Sequence, residues 1–131
     1  MSKFDLTYII DDDPIFVIVL KKLLAKMNVF KEVKNLKNGL DALNDLKDVN
    51  AEKKNFPDVI FLDLNMPVLD GWQFLEELEK TPFKDKLNIY VVSSTIDTRE
   101  IVKCENYESV RNFISKPTNS DDLNKALGIK A

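Results

Sequence analysis

Four short stretches carry side chains that could do chemistry together: Asp11-Asp12-Asp13, Asp63, Ser93-Ser94-Thr95 and Ser115-Lys116-Pro117. Each closes a short apolar run. Carboxylates brought close repel one another, so a group of them needs positive charge to hold it. The chain has no histidine and one cysteine, so a metal bound here would meet oxygen donors. That donor set suits a hard cation. Mg²⁺ is favoured, because it binds through one or two carboxylates and keeps positions open for water and phosphate oxygens. A lysine and a hydroxyl facing that ion make a pocket for a dianionic group. A carboxylate can itself be the nucleophile and form an acyl phosphate. Phosphoryl transfer asks mainly for positioning and charge neutralisation, which such a pocket supplies. Taken singly, each group has a plainer use: the aspartate run as a helix cap, Asp63 as a loop cap, Ser93 as a strand-end hydroxyl, Lys116 as a solvated lysine before a turn proline. What favours chemistry is where they fall in the chain.

The elements that must position them alternate. Leu6 to Ile10 is an apolar run rich in strand formers. Asp13 fits an N-cap and Pro14 the first turn of a helix to about Asn28. Val33 to Leu36 is a weak second strand; Asn38-Gly39 breaks it, and Leu40, Leu43 and Leu46 follow at helical spacing. The polar segment Asp48 to Pro57 reads as a loop. Val59 to Leu62 is a continuous apolar strand of the kind buried on both faces. Asp70-Gly71 could turn a hairpin, but Phe74, Leu75 and Leu78 make Asp70 a helix cap. Ile89 to Val92 is the fourth strand. Asp97 with Glu100 resembles a capping box for a helix to about Asn106. Val110 to Ser115 is the fifth strand, and Asn119 to about Leu127 a short last helix. The order βαβαβαβαβα means an α/β fold, a parallel sheet covered on both faces. In such a sheet the ligand crevice lies beyond the carboxyl ends of the strands. All four stretches fall at that edge.

The totals bound the reading. The 131 residues are the size of one domain, and 44% hydrophobic composition is enough for a core. A net charge of −3 argues against nucleic acid as a direct ligand. Cys104 is alone, so no internal disulfide is expected. No apolar run approaches the roughly 20 residues of a membrane span, and no leader is visible. A single domain over residues 1–131 is expected, cytoplasmic, with no room for an output domain after the last helix.

The sequence resembles the response-regulator receiver family over essentially its whole length. The resemblance is carried by Ile9-Ile10-Asp11-Asp12-Asp13, by Phe61-Leu62-Asp63-Leu64-Asn65-Met66-Pro67-Val68-Leu69-Asp70-Gly71, by Val91-Val92-Ser93-Ser94 and by Phe113-Ile114-Ser115-Lys116-Pro117. It implies a flavodoxin-like receiver fold, five parallel strands in the order 2-1-3-4-5, and a Mg²⁺-dependent phosphoacceptor switch rather than an enzyme in the ordinary sense. Asp63 would be the phosphoacceptor. Asp12 would bind Mg²⁺ directly and Asp11 through water, with Asp63 and the backbone carbonyl of Asn65 completing the protein ligands. Ser93 would be the switch hydroxyl, and Lys116 would pair with the phosphoryl group, or with Asp63 before it arrives. Pro117 would follow a cis peptide bond. Phe113 occupies the switch aromatic, a position more often tyrosine, so a hydrogen bond is lost from the switch. Asp13 falls outside the metal shell. The family's usual small residue before strand five is missing, and Asn106 to Asn112 should depart from the family's loop. The implied partners are a sensor histidine kinase or histidine phosphotransfer domain and a downstream protein that reads the fourth helix, fifth strand and fifth helix, with the switch itself a monomer. On the first helix, Phe16, Leu20, Leu23 and Met27 form one stripe, widened by Val19 and Leu24. Ile18 falls opposite, flanked by Ile15 and Val17, and would meet the phosphodonor. Three other readings remain. An aspartyl phosphohydrolase would want an acid where Asn65 stands. A flavodoxin-like cofactor protein would want a Ser/Thr/Gly-rich phosphate loop after strand one, where Asp11-Asp12-Asp13 would repel the phosphate. A receiver that has become a scaffold would keep these residues without using them.

Overall fold

The computed structural model describes residues 4–66, 68–94 and 97–129. The chain alternates strands β1 (Phe4–Ile10), β2 (Phe30–Leu36), β3 (Val59–Asp63), β4 (Ile89–Ser93) and β5 (Val110–Ser115) with helices α1 (Pro14–Met27), α2 (Gly39–Ala51), α3 (Gly71–Glu79), α4 (Thr98–Cys104) and α5 (Ser120–Leu127). The strands form one sheet in the order β2-β1-β3-β4-β5, every pair parallel. Fold class, strand order and the central place of β3 are as expected from the sequence.

The two-residue period of a strand divides the core. Tyr8, Ile10, Ile60, Leu62, Ile89 and Val91 face one layer with α2 and α3, whose Ala42, Leu43, Leu46, Phe74, Leu75 and Leu78 are buried against them. Ile9, Val59, Phe61, Val92 and Ile114 face the other, with Phe16, Val17, Leu20 and Leu24 of α1 and Leu123 and Leu127 of α5. Because β3 lies between both layers, all five of its residues are buried. No helix among the described residues is long and apolar enough to cross a membrane.

All five helices begin on an Asx side chain that accepts backbone N–H groups: Asp13, Asn38, Asp70, Asp97 and Asn119. This satisfies donors that a first turn otherwise leaves open. The full reciprocal box forms at Asp70 and Gln73, while Asp97 accepts from the Glu100 N–H.

Several boundaries differ from the sequence reading. Strand two begins at Phe30, where the ring stacks on Phe4 of β1 at 5.1 Å between centroids. The second helix runs to Ala51, because the polar residues after Asp48 lie on its solvent side while Val49 stays half-buried. The fourth ends at Cys104. In α1, Val17 is buried rather than flanking an open face, and Val19 is exposed rather than widening the buried stripe. A 3₁₀ turn at Lys84–Lys86 was not foreseen; the Ser109 hydroxyl donates to the Lys84 carbonyl across it at 2.7 Å. The approach to β5 is built from successive turns, Tyr107 N–H to Cys104 carbonyl and Val110 N–H to Tyr107 carbonyl.

Candidate functional site

Beyond the carboxyl ends of β1, β3, β4 and β5 the sheet brings Asp11, Asp12, Asp63, Ser93 and Lys116 to one edge. Asp11, Asp63 and Ser93 are buried, at 2%, 6% and 1% exposure; Asp12 faces solvent. One carboxylate oxygen from each of Asp11, Asp12 and Asp63 lies within 4.8 Å of the others. The Lys116 ammonium closes the cluster. It sits 2.8 Å from Asp11 Oδ2 and 3.6 Å from Asp63 Oδ2. The sequence reading paired it with Asp63, but the tighter contact is to Asp11, which spends its other oxygen on the Asp13 N–H at 2.9 Å. The peptide bond between Lys116 and Pro117 is cis, as expected.

Local structure explains each position. The Lys116 N–H donates to the Ser93 carbonyl at 3.0 Å, tying the ends of β4 and β5 together. Asp63 Oδ1 accepts from the Asn65 N–H at 3.2 Å, so the first residues of the loop fold back on the carboxylate. Asn65 itself is exposed. Phe113 is half-buried against the layer that holds α2 and α3. Pro67 and Thr95, which belong to the chemistry-bearing stretches, lie outside the described residues.

The loop from β3 to α3 is held by two glycines. The Gly71 N–H donates to the Leu64 carbonyl and the Gly39 N–H to the Leu69 carbonyl, both at 3.0 Å. A Cβ on Gly71 would fall 2.6 Å from Leu64 Cα and 2.7 Å from the Asp63 carbonyl oxygen. These are backbone atoms, so the loop that follows Asp63 would itself have to move. Gly71→Ala should therefore cost about 2 kcal/mol of stability, read as a lower urea midpoint; an unchanged midpoint would show that the loop gives freely. Between the glycines, Val68 is exposed with φ 69°, a left-handed conformation that a β-branched residue rarely adopts.

Burial, followed by repulsion from Asp11, pushes the Asp63 carboxyl up to about 6, against the opposing pull of Lys116 and the Asn65 N–H. A buried carboxylate pair with a single close ammonium is short of positive charge. The site therefore attracts a cation and, through Lys116, can hold an anion.

Two participants escaped the sequence reading. The Asn35 amide donates to the Ile9 carbonyl at 2.9 Å and the Asp11 carbonyl at 3.2 Å, bracing the end of β1. An amide inside a strand-like run was the available signal. The Phe16 ring, read as part of the core stripe, also meets the Lys116 ammonium, 4.4 Å from its centroid.

Known proteins share this fold. Residues 7–128 match the response regulator receiver domain family. Chemotaxis protein CheY of Listeria monocytogenes is 30% identical over 122 residues, covering 93% of this chain and 95% of that protein. The crystal structure of a two component response regulator from Cytophaga hutchinsonii superposes with a TM-score of 0.87 at 28% identity, covering 97% of this chain and 96% of that one. A phosphorylated cyanobacterial phytochrome response regulator, RcpA, gives 0.77 at 25% identity, covering 98% and 91%. The chain belongs to the response regulator receiver domains, the phosphoacceptor signalling switches of two-component systems.

Proposed function

We propose that Asp63 is the phosphoacceptor of this switch and that Mg²⁺ is its cofactor. The observation that carries the reading is the placement of Asp63: buried at the end of the central strand, with Asp11 and Asp12 beside it and Lys116 3.6 Å away. An oxygen-only cluster with too little positive charge fits a hard divalent cation. Asp11, Asp12, Asp63 and the Asn65 carbonyl would hold it, and it would supply charge neutralisation for the incoming phosphoryl group.

The chain's own groups do the rest. An Asp63 carboxylate oxygen attacks phosphorus, the bond from phosphorus to the donor atom breaks, and the donor leaves with that electron pair. The product is an acyl phosphate. Lys116 neutralises charge on the transferring oxygens, which are the groups that carry it in such a transition state. The Ser93 hydroxyl donates to a phosphoryl oxygen, and its movement makes room for Phe113 to turn inward. The face of α4, β5 and α5 changes as a result, and a downstream protein reads it. The same groups assist later hydrolysis of the acyl phosphate. The eight-residue α5 offers little surface for pairing, and the reading takes the switch as a monomer. It places the protein in the cytoplasm, where Mg²⁺ and a kinase's phosphohistidine are both at hand.

Intact mass after incubation with a small phosphodonor tests the assignment. One phosphoryl group should be added with Mg²⁺, and none without it or in Asp63→Asn. Addition to Asp63→Asn at the wild-type level would place the acceptor elsewhere.

The donor side of the reading rests on α1. Ile15, Ile18 and Val19 are 74%, 55% and 43% exposed at its N-terminal half, next to the acidic cluster in sequence. An apolar patch there fits a histidine kinase or phosphotransfer domain. Ile18→Lys should slow transfer from the protein donor about tenfold or more, on the scale of a lost interface anchor, and leave the small phosphodonor unaffected. Equal loss with both donors would count against docking.

A further inference from the structure

Among the described residues Lys116 is the one close cation of the site, and its surroundings are unusual in composition. Its ammonium has two buried carboxylates on one side, Asp11 at 2.8 Å and Asp63 at 3.6 Å. On another side it meets no charge at all but the ring of Phe16, 4.4 Å from Nζ to the centroid. The lysine side chain is only 15% exposed. Phe16 is 8% exposed and locked in place from behind: it belongs to the layer formed with Val92, Ile114 and Leu123. Its backbone N–H is bonded to the Asp13 cap of α1. The ring is therefore a surface set by helix α1, against which the Lys116 side chain from the β5–α5 loop rests.

An aromatic face attracts an ammonium through its quadrupole, and more strongly where water is excluded. It differs from a carboxylate in one respect that matters here. It holds the cation without neutralising it and without competing for it as a counter-ion. The ammonium occupies an Asp11 oxygen that a divalent cation would need. Its turn toward a phosphoryl group would also require breaking a charge-assisted bond. With the ring sharing the ammonium, that turn keeps one contact throughout.

We infer that Phe16 is a positioning residue for Lys116: its ring face holds the ammonium within reach of Asp63 while leaving its charge available to the phosphoryl group. The inference rests on the reading of Lys116 given above, and deepens it by adding a residue outside the polar cluster.

The test replaces Phe16 by mono-, di- and trifluorinated phenylalanine, which weakens the ring quadrupole stepwise at nearly constant shape. In the metal-free protein, the Lys116 ε-methylene protons should resonate upfield of those of the other lysines. They should lose that displacement in Phe16→Leu. Phosphorylation by a small phosphodonor should slow progressively along the series, by about threefold to thirtyfold in total, while Phe16→Tyr, which keeps the ring face, stays near wild type. In a Lys116→Met background the series should be flat. A slow Lys116→Met variant with a flat fluorination series in the wild-type background would overturn the role of Phe16 and leave that of Lys116 standing. A Lys116→Met variant as fast as wild type would overturn both.

Discussion

Metal-free Asp63→Asn should be more stable than the wild-type protein near pH 7.5, by about 2–3 kcal/mol, and the two should converge near pH 4. The wild-type Asp63 carboxyl is carried from its ordinary 3.8 to about 6 by burial and by Asp11. That displacement corresponds to about 3 kcal/mol. Its sign is unfavourable to folding at neutral pH. The folded state holds a proton on Asp63 that the unfolded chain has released, so stability is highest below the unfolded value and falls as pH rises toward about 6. Above that, the ionised group stays in place at a constant cost. Asparagine has no proton to lose and no charge to bury, so the fall attributable to this site disappears. Other carboxyls behave oppositely: Asp45 is held low by Lys34 and Tyr8, and Asp97 by the Glu100 N–H. The quantity to compare is therefore the difference between variant and wild type in urea unfolding with chelator present, pH by pH. A difference that does not grow between pH 4 and 7.5 would show that Asp63 is not the strained group.

The same measurement has a second arm. A ligand that binds only the folded state adds stability as its concentration exceeds its dissociation constant. Mg²⁺ should raise the wild-type curve and close the gap, since it relieves the repulsion that asparagine removes by substitution. On this reading the site would destabilise the empty protein and stabilise the loaded one. This is the expected arrangement where charge is stored for function rather than for folding.

How much of this could be read from the residues follows a physical division. The polar edge was legible because each of its members directly follows an apolar strand, and a parallel sheet gathers strand ends on one side. Asp11, Asp63 and Lys116 needed only that rule, and they meet as expected; Ser93 ends β4 beside them, its carbonyl accepting the Lys116 N–H. The strand order came from the resemblance, since alternation of elements does not fix it. What escaped depends on tertiary contact. Phe30 joins β2 because Phe4 stacks on it, and nothing local marks it. Val17 and Val19 exchange sides of α1 relative to the expected stripe, because α1 meets both the sheet and α5 and its buried arc is set by both. Val68 adopts a left-handed backbone that its own type disfavours; the constraint comes from the glycine-anchored turns on either side. The preference of Lys116 for Asp11 over Asp63 is a matter of less than an ångström, which no sequence pattern encodes.

Lys116→Met should separate metal binding from phosphoryl transfer, improving the first and impairing the second. Removing the ammonium leaves Asp11 and Asp63 buried without their counter-charge. Breaking a buried pair by deleting one partner costs about 3–5 kcal/mol. With 15% of the lysine side chain in contact with solvent, and with Asp63 able to take up a proton in response, the lower end, about 3 kcal/mol, is expected in metal-free protein at pH 7.5. Lys116 is one of the groups that pull the Asp63 carboxyl down, so its loss carries that carboxyl higher still. The pH range over which stability falls then extends upward past about 6. In an Asp63→Asn background the cost of losing Lys116 should shrink by about 1 kcal/mol, since contacting charges do not act independently. Mg²⁺ brings back the missing charge and no longer competes with an ammonium for Asp11, so its affinity should rise, read by calorimetric titration. Phosphorylation by a small phosphodonor should nevertheless slow by about a hundredfold, the scale of removing one fixed charge partner from a developing transition state. Weaker Mg²⁺ binding together with slower transfer would mean that the lysine shapes the pocket for the metal rather than competing with it. Tighter binding with slower transfer is the signature of an ammonium whose place is with the phosphoryl group.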